Sequence, residues 1–284
     1  MLVNHHTHTT YSDGRDTLRD VLAKAAALGL DGVGISDHAP IVGSEVSHFD
    51  ESRLGAYVAE LREARRAYAD RMQVYAALEV DYIPGLSSPC SALVRAAGLD
   101  YVLGAVHYVD DWPDGTPFGF EASEQQFVEG VALIFGGCYR SALERYYGLI
   151  REMVRTAPPD IVAHLDRVRK HNRGGVHFDE AATWYRDEVR HTLEVIAAAG
   201  VIMEVNTKGL YRGETPEPYP GRWALRQAYH LGIPVQLASD AHDAADLVSG
   251  FGAAEAVLLE TGHRATVVRD GARWREVGVG ELVG

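Results

Sequence analysis

Two histidines near the start of the chain have a spacing that suits metal chemistry. His6 and His8 follow the apolar residues Met1, Leu2 and Val3. Successive side chains of a strand point to opposite faces, so Asn4, His6 and His8 are expected to share one face. Two imidazoles on one face can bind a single metal ion. The turn Ser12-Asp13-Gly14 brings a carboxylate back toward the same strand end.

Polar residues of the same kinds recur where other apolar runs end. Charged and imidazole groups at successive strand ends are too costly to serve as core filling. The carboxyl ends of parallel strands converge on one face, so these side chains are expected to meet there. The candidate ligands are His6, His8, Asp13, His38, Glu79, His107, His164, Asp240 and His242. This set is too large for one ion, and its nitrogen and oxygen donors suit roughly two or three ions of zinc, iron or manganese.

Apolar runs alternate with amphipathic stretches along the whole chain. Strands are predicted at residues 2–6, 33–37, 73–80, 101–108, 160–165, 201–206 and 234–240. Helices are predicted at residues 17–28, 52–71, 87–97, 123–135, 139–156, 179–199, 222–231 and 244–261. This alternation indicates an α/β fold with a parallel sheet, and its repeat number favours closure into a barrel. Residues 265–277 alternate around Asp270-Gly271, which predicts a C-terminal β-hairpin that seals one barrel end.

The prediction for domain organisation is one domain over residues 1–284, a normal length for an α/β barrel. The longest departure from the strand–helix rhythm spans residues 109–159. It begins with the polar segment Asp110-Asp111-Trp112-Pro113-Asp114-Gly115 and continues through two predicted helices. In a barrel, such an excursion is expected to cover the mouth, where substrate selectivity is built.

Composition excludes several classes of partner. A formal net charge of −13 argues against a nucleic-acid partner and suits a protein that binds multivalent cations. The cysteines Cys90 and Cys138 provide neither a disulfide framework nor a thiolate metal site, and are expected to be small buried residues in a reducing compartment. No signal peptide and no apolar run of about 18 residues is seen, so a cytoplasmic protein without a membrane partner is expected. A homo-oligomer is compatible with the sequence.

Seven short motifs in order resemble the polymerase and histidinol phosphatase (PHP) superfamily. They are Asn4-x-His6-x-His8 with Ser12-Asp13-Gly14, Ser36-Asp37-His38, Leu78-Glu79, Gly104-Ala105-Val106-His107, Ala163-His164-Leu165-Asp166 and Ser239-Asp240-Ala241-His242. Within that superfamily the chain is most similar to the monofunctional histidinol-phosphate phosphatases. The supporting segments are YVLGAVHYVDDW (101–112), HLDRVRK (164–170), EVNTKGL (204–210) and EPYP (217–220).

The resemblance implies a distorted (β/α)7 TIM-like barrel with a trinuclear metal site. One ion would be held by His6, His8, Glu79 and Asp240. Glu79 would bridge to a second ion shared with His107 and His164, and Asp13, His38 and His242 would hold the third. Many members of the superfamily carry Asp at the position of Asn4, so this residue is expected to support the ligands rather than bind an ion.

The resemblance also implies a reaction. It predicts hydrolysis of L-histidinol phosphate to L-histidinol and phosphate by a metal-bridging hydroxide, with the ions neutralising the phosphate oxygens. Asp240 and His242 are candidates for proton transfer to the leaving group, besides their role as ligands. Other members of the superfamily leave open a phosphotyrosine, small-nucleotide or exonuclease substrate. A metal-bound regulatory barrel without turnover is a further alternative.

A phosphate dianion calls for cationic side chains, and histidinol adds an amine and an imidazole. Arg169 and Lys208 are predicted as the first phosphate contacts, with Lys170 and Arg212 next. Asp110, Asp111 or Glu121 could pair with the amine, and Trp112 could stack on the ring. The histidines outside the motifs are predicted to be surface or packing residues, namely His48, His171, His177, His191, His230 and His263.

Overall fold

The computed structural model describes residues 1–44 and 46–280. The strands are β1 (Val3–Asn4), β2 (Gly32–Ile35), β3 (Gln73–Asp81), β4 (Tyr101–Ala105), β5 (Tyr108–Asp111), β6 (Pro117–Gly119), β7 (Ile161–Val162), β8 (Ile202–Asn206), β9 (Val235–Ala238), β10 (Ala265–Asp270) and β11 (Arg273–Gly278). The helices are α1 (Leu18–Ala27), α2 (Leu54–Tyr68), α3 (Ala92–Ala97), α4 (Glu124–Ile134), α5 (Tyr139–Thr156), α6 (Thr183–Ala199), α7 (Lys208–Tyr211), α8 (Arg222–His230) and α9 (Phe251–Thr261).

Seven parallel strands form a nearly closed barrel in the order β1-β2-β3-β4-β7-β8-β9. At the seam between β9 and β1, a single bridge joins Thr7 to Ala241, and the backbone N–H of His8 donates to the carbonyl of Ala241 at 2.9 Å. The amide of Asn4 donates to Ser239 Oγ at 2.8 Å and to the Leu247 carbonyl at 3.0 Å. Side-chain hydrogen bonds therefore replace part of the ladder at the seam, and the predicted distorted seven-stranded barrel is confirmed.

The elements follow from their apolar patterns. Strand β3 is buried at every position except Gln73, as expected for a central parallel strand covered by helices. Helix α1 buries Leu18, Val21, Leu22 and Ala25, the single apolar stripe that the sequence predicts. Its amino end is capped by the Thr17 hydroxyl, which accepts from the backbone N–H of Asp20.

Several predicted boundaries are wrong, among them the end of the strand predicted at 160–165 and the start of the helix predicted at 179–199, and three others are instructive. The strand predicted at 101–108 ends at Ala105, and Tyr108 begins β5. The helix predicted at 87–97 begins at Ala92, because Pro89 disfavours helical backbone in the residues just before it. The helix predicted at 244–261 is a short 3-10 turn at Ala244–Asp246 followed by α9, and Gly250 with a φ of +79° separates them.

The excursion between β4 and β7 divides into two parts. Strands β5 and β6 form an antiparallel hairpin, and the two predicted helices are present as α4 and α5. Helix α5 packs against α6 and buries Tyr146, Tyr147 and Met153, so it belongs to the outer layer of the barrel. The hairpin and the first turn of α4, which carries Gln126, are therefore the parts of the excursion that build the mouth.

The predicted C-terminal hairpin is present as β10 and β11. Its Asp270 accepts from the side chain of Gln73, the first residue of β3, so it lies at the amino-terminal end of the barrel. The ring of Trp274 lies 5.2 Å from the ring of His5 and 5.6 Å from that of Tyr101, between centroids. These contacts support the prediction that the hairpin seals this end.

None of the helices in the described residues combines the length and the apolar composition that crossing a bilayer requires. A single domain over residues 1–284 stays a prediction, and residues 45 and 281–284 of that range lie outside the described residues.

Candidate metal centre

The nine predicted ligands meet at the carboxyl-terminal end of the barrel. His6, His8 and Asp13 follow β1, and His38 follows β2. Glu79 lies near the end of β3, while His107 and His164 follow β4 and β7. Asp240 and His242 follow β9. Residues far apart in the sequence therefore form one cluster, in which His6, His8, Glu79, His164 and Asp240 are almost fully buried.

Glu79 lies at the centre of this cluster, and its two oxygens face different histidines. Oε2 lies 3.3 Å from His6 Nε2, 3.5 Å from His8 Nε2 and 3.3 Å from His38 Nδ1. Oε1 lies 2.7 Å from His164 Nε2 and 3.6 Å from His107 Nε2. This geometry fits a carboxylate that bridges two ions.

Two further carboxylates complete the cluster. Asp240 Oδ1 lies 3.2 Å from His8 Nε2 and 3.4 Å from His242 Nδ1. Asp13 Oδ2 lies 3.2 Å from His242 Nε2, and its Oδ1 lies 3.7 Å from His38 Nε2. The ligand atoms form four overlapping groups within the described residues: His8–Asp13–His38–His242, His6–His8–Asp240, His38–Asp81–His107 and Glu79–His107–His164.

The donor atoms fit metal ions better than they fit one another. Buried imidazole nitrogens without a hydrogen-bond partner include His6 Nε2, both ring nitrogens of His8, and His38 Nδ1. Orphaned buried nitrogens are costly unless something binds them. Ligands about 2.1 Å from a tetrahedral ion lie about 3.4 Å from each other. Most separations around Glu79 and Asp240 are close to that value, so the cluster can hold more than one ion.

The electrostatics keep the carboxylates ionised. Burial alone would raise the pKa of Glu79, but His6, His38 and His107 hold it well below its usual range. Burial is likewise overcome at Asp240, where Lys208 and His6 lower the pKa. Anionic oxygens surrounded by imidazoles are the donor set that divalent zinc, iron or manganese prefers.

Two carboxylates that were not predicted as ligands orient the histidines. Asp81 Oδ1 lies 2.7 Å from His107 Nδ1, and Glu204 Oε1 lies 2.7 Å from His6 Nδ1. Asp81 follows Glu79 by two residues on β3, so the alternation of a strand could have shown that both face the cluster. Asn4 is buried and bonded across the seam, in agreement with its predicted supporting role.

Two of the predicted ligands have strained backbones. His164 has a φ of 22° and Asp240 a φ of 53°, and they are the non-glycine residues with positive φ in the described part of the chain. Such conformations cost about 1–3 kcal/mol and persist where the surroundings enforce them, typically at functional sites.

The cluster forms one side of a cavity of about 530 Å³. The excursion contributes another part of the wall through Tyr108, Trp112, Phe118 and Glu121. Four cationic side chains also line the cavity: Arg167, Lys170, Lys208 and Arg212. Lys208 Nζ lies 3.2 Å from Asp240 Oδ1. The cavity thus combines a metal-ligand cluster with positive charge, as an anionic substrate requires.

The position of Arg169 does not support the prediction that it contacts phosphate. Its buried guanidinium pairs with Asp166 at 3.2 Å and with Glu180 and Glu217 at 2.7 Å each, outside the wall of this cavity. Arg167, two residues earlier, faces the cavity instead. A 3-10 turn at Arg167–His171 sets these directions, and no sequence periodicity reveals which arginine points inward.

Of the residues predicted to contact the histidinol end of the substrate, some line the cavity and others do not. Glu121 and Trp112 line the cavity, but Glu121 already accepts from Arg167 Nε at 2.6 Å and from Lys170 Nζ at 3.3 Å. Asp110 and Asp111 are exposed and do not line it.

His48 is exposed, as predicted for a surface residue, but it also lines the cavity, with its ring 5.4 Å from that of His38. Its loop carries no motif that could have shown this. His171 and His177 pack against Phe127, as predicted.

The fold and the cluster define a metal-binding α/β barrel whose ligands come from the ends of nearly all its strands. The sequence profile of the PHP domain matches residues 4–208. This chain belongs to the PHP domain family.

Named relatives cover most of the chain. A protein of Deinococcus radiodurans with the name "Probable histidinol-phosphatase" is 30% identical over 94% of this chain and 96% of its own. "Histidinol-phosphatase" of Bacillus subtilis strain 168 is 25% identical over 85% of this chain and 94% of its own. The structure of histidinol phosphate phosphatase from Lactococcus lactis, complexed with zinc, L-histidinol and phosphate, has a TM-score of 0.73. The match covers 96% of this chain and 98% of that chain at 19% identity, and it shows the shared fold.

Proposed function

We propose that this protein hydrolyses L-histidinol phosphate to L-histidinol and phosphate, using roughly two to three divalent or trivalent ions of zinc, iron or manganese. The observation that carries the proposal is the position of Glu79, whose two oxygens face separate sets of imidazoles beside a cavity with four cationic side chains. The names of the Deinococcus and Bacillus relatives support histidinol phosphate as the ester.

Three of the four overlapping groups support the proposed ligand assignments, and Glu79 Oε2 is added to the group of His6, His8 and Asp240 because it lies 3.3 Å from His6 Nε2 and 3.5 Å from His8 Nε2. His6, His8, Glu79 and Asp240 would hold one ion; Glu79, His107 and His164 a second; and Asp13, His38 and His242 a third. When bound, such ions activate water as a nucleophile near neutral pH and neutralise charge on phosphate oxygens. The ionised state of Glu79 and Asp240 prepares the site to receive them.

The cationic side chains are proposed to bind the phosphate dianion. Lys208 begins the short helix α7 after β8, and Arg212 directly follows that helix. Lys170 lies in the 3-10 turn after β7. Lys208 is only 17% exposed and contacts Asp240, which places its positive charge next to the ligand cluster. In this partly buried setting, an ammonium attracts phosphate more strongly than it would in bulk water. Arg167 is added to this set because it lines the cavity.

Proton transfer to the leaving alcohol is proposed for His242 or Asp240. His242 retains 24% exposure of its side chain and faces the cavity, whereas Asp240 retains only 4%. His242 Nε2 lies 3.2 Å from Asp13 Oδ2, a carboxylate that can orient the ring. His242 is therefore the better placed of the two to move a proton in the cavity.

The mouth is proposed to recognise the histidinol end. Trp112 offers an indole face to an imidazole or an ammonium group. Glu121 could meet the amine, although its oxygens already accept from Arg167 and Lys170.

The proposal is tested with a substrate panel and metal analysis. The protein is purified without chelator, and phosphate release is measured from histidinol phosphate, phosphotyrosine and a nucleoside monophosphate with zinc, manganese or iron. We expect the highest kcat/KM with histidinol phosphate, at least two equivalents of metal by plasma mass spectrometry, and loss of activity with a chelator. Faster release from either other ester contradicts the substrate, and no turnover with any ion favours the regulatory barrel. Glu79→Gln should be inactive, while Glu129→Gln, on the exposed face of α4, should match the wild type.

Partners and compartment remain proposals. The charge of −13 supports a protein without a nucleic-acid partner, and the low cysteine content supports the cytoplasm. A homo-oligomer remains compatible with the sequence, and light scattering would test it. Retention of single-stranded DNA in a gel-shift assay at physiological salt would contradict the first proposal.

A further inference from the structure

Glu204 contacts two predicted metal ligands, although its strand β8 supplies none of the nine. Its side chain is fully buried and both carboxylate oxygens are used. Oε1 accepts from His6 Nδ1 at 2.7 Å, and Oε2 accepts from the backbone N–H of His164 at 2.8 Å. One carboxylate therefore joins a ligand that follows β1 to a ligand that follows β7.

The first contact determines how His6 can bind an ion. A carboxylate on Nδ1 favours the tautomer that carries its proton there, which leaves the lone pair of Nε2 free. His6 Nε2 has no hydrogen-bond partner and points between Glu79 Oε2 at 3.3 Å and Asp240 Oδ1 at 3.8 Å. Glu204 thus presents the correct nitrogen of His6 to the ion position shared with Glu79 and Asp240.

The second contact holds a strained backbone. His164 has a φ of 22°, a conformation that needs support from its surroundings. The bond from its N–H to Glu204 Oε2 provides that support, and the imidazole then reaches Glu79 Oε1 with Nε2 at 2.7 Å. Glu204 therefore also sets the position of the ligand that serves the other oxygen of Glu79.

A third link extends the network toward β9. The amide of Asn206 donates to Glu204 Oε2 at 3.0 Å and to Asp240 Oδ2 at 3.3 Å. Asp240 is the other residue with a strained backbone, with a φ of 53°. Glu204 and Asn206 occupy alternate positions of β8, so both face the cluster.

We propose that Glu204 is a positioning residue that couples two ion positions, because it orients His6 for one ion and His164 for the other. Loss of this carboxylate is then expected to weaken the binding of both ions together. Asp81 provides the matched comparison, since it orients His107 alone. The inference rests on the metal ions of the proposed function, but not on the identity of the phosphate ester.

The test uses the full chain, stripped of metal by a chelator and titrated with zinc in a competition assay. Glu204→Gln keeps the volume of the side chain but turns one acceptor into an amide donor, which must face a donor on His6 or His164. Loss of such a supporting partner costs about 10- to 100-fold in metal affinity. We expect the affinity for two zinc ions to fall by this factor in Glu204→Gln, and the affinity for one zinc ion to fall in Asp81→Asn.

A second readout is the proton on His6 Nδ1, observed by NMR of the zinc-loaded protein with 15N-labelled histidine. In the wild type we expect an Nδ1–H signal of His6 that is protected from exchange, and in Glu204→Gln we expect this signal to be lost. The signal is assigned to His6 by its absence from the spectrum of His6→Gln. If Glu204→Gln does not fold, Glu204→Asp and the wild-type spectrum decide instead. Glu204→Asp shortens the carboxylate by one methylene, so both ions should again weaken.

Several outcomes overturn the proposal. Wild-type affinity for every ion in the Glu204 variant contradicts it, as does weakening of one ion only. A wild-type His6 without a proton on Nδ1 contradicts it as well. A wild type that binds no ion overturns both the inference and the proposed function. If Glu204→Gln weakens the binding of two ions as expected but the wild type does not hydrolyse histidinol phosphate, only the proposed function is overturned.

Discussion

His107 Nδ1 lies 2.7 Å from Asp81 Oδ1, and this pair controls the protonation of one predicted metal ligand. Burial alone would lower the pKa of His107, but Asp81 and Glu79 together raise it to about 10. In the metal-free protein at pH 8 this imidazole is therefore expected to be protonated, because the pH lies below the pKa.

Metal binding at pH 8 should consequently release a proton from His107. The ion needs the neutral imidazole, so affinity should fall about tenfold for each unit by which the pH drops, from this ligand alone. Calorimetric titrations with zinc in buffers of different ionisation enthalpy measure the number of protons released. Asp81→Asn removes the main charge that raises the pKa and should release fewer. Equal proton release by both proteins would contradict this account of His107.

Arg167 and Arg169 should respond differently to substitution. Arg167→Met removes a guanidinium that lines the cavity, and we expect kcat/KM for the phosphate ester to fall about 100-fold, by analogy with other phosphate-binding cations. It also leaves Glu121 and Glu214, each 2.6 Å from that guanidinium, without their cation, so stability is expected to fall as well. Arg169→Met leaves Asp166, Glu180 and Glu217 without their cation, and removing one partner of a buried ion pair costs about 3–5 kcal/mol of unfolding free energy. Steady-state kinetics and urea unfolding of both variants measure the contrast. A large kinetic effect of Arg169→Met in a stable protein would restore the original prediction for this residue.

Close packing around Tyr101 predicts a severe effect at Gly34. A methyl group added there would overlap Tyr101 Oη, and that hydroxyl is itself bonded to the His5 carbonyl at 2.6 Å. We expect Gly34→Ala to lower the free energy of unfolding by about 3 kcal/mol or more. Gly55→Ala is the control, since nothing lies within 4 Å of the new methyl group in α2. It should raise stability by about 0.5–1 kcal/mol. Similar thermal unfolding of the two variants would refute this packing argument.

His5 is expected to make the fold sensitive to acid. Burial lowers its pKa to about 3, and the charge of Arg269 acts in the same direction. The unfolded chain binds a proton here below about pH 6.5 while the folded chain does not, so stability is lost as the pH falls from about 6.5 toward 3. Between pH 7.5 and 4.5 the loss from this residue should be about 2–3 kcal/mol.

Urea unfolding at both pH values tests this expectation. His5→Gln should reduce the difference in stability between them by that amount, whatever its own effect on the fold. His230→Gln, exposed at the end of α8, should leave the difference unchanged. An unaltered pH dependence in His5→Gln would show that His5 does not contribute.

The ligands could be predicted from the sequence because each ends an apolar run, and parallel strands bring such ends together. His6 and His8 even show their shared face through their spacing. The supporting contacts were harder to predict, because the bond from Glu204 to His6 joins residues 198 positions apart. The directions of Arg167 and Arg169, and the position of His48, depend on loop geometry that no periodicity encodes.

The hairpin of β5 and β6 lies in one continuous insertion, whereas the ligands are distributed over nearly every strand. Tyr108, Trp112, Phe118, Glu121 and Gln126 all enter the cavity wall from residues 108–126. Sequence changes in that short segment can therefore alter which alcohol of the phosphate ester fits the cavity, while the metal ligands on the barrel strands stay unchanged. A chimera that carries this segment from another member of the family would exchange preference among esters without rebuilding the reactive centre.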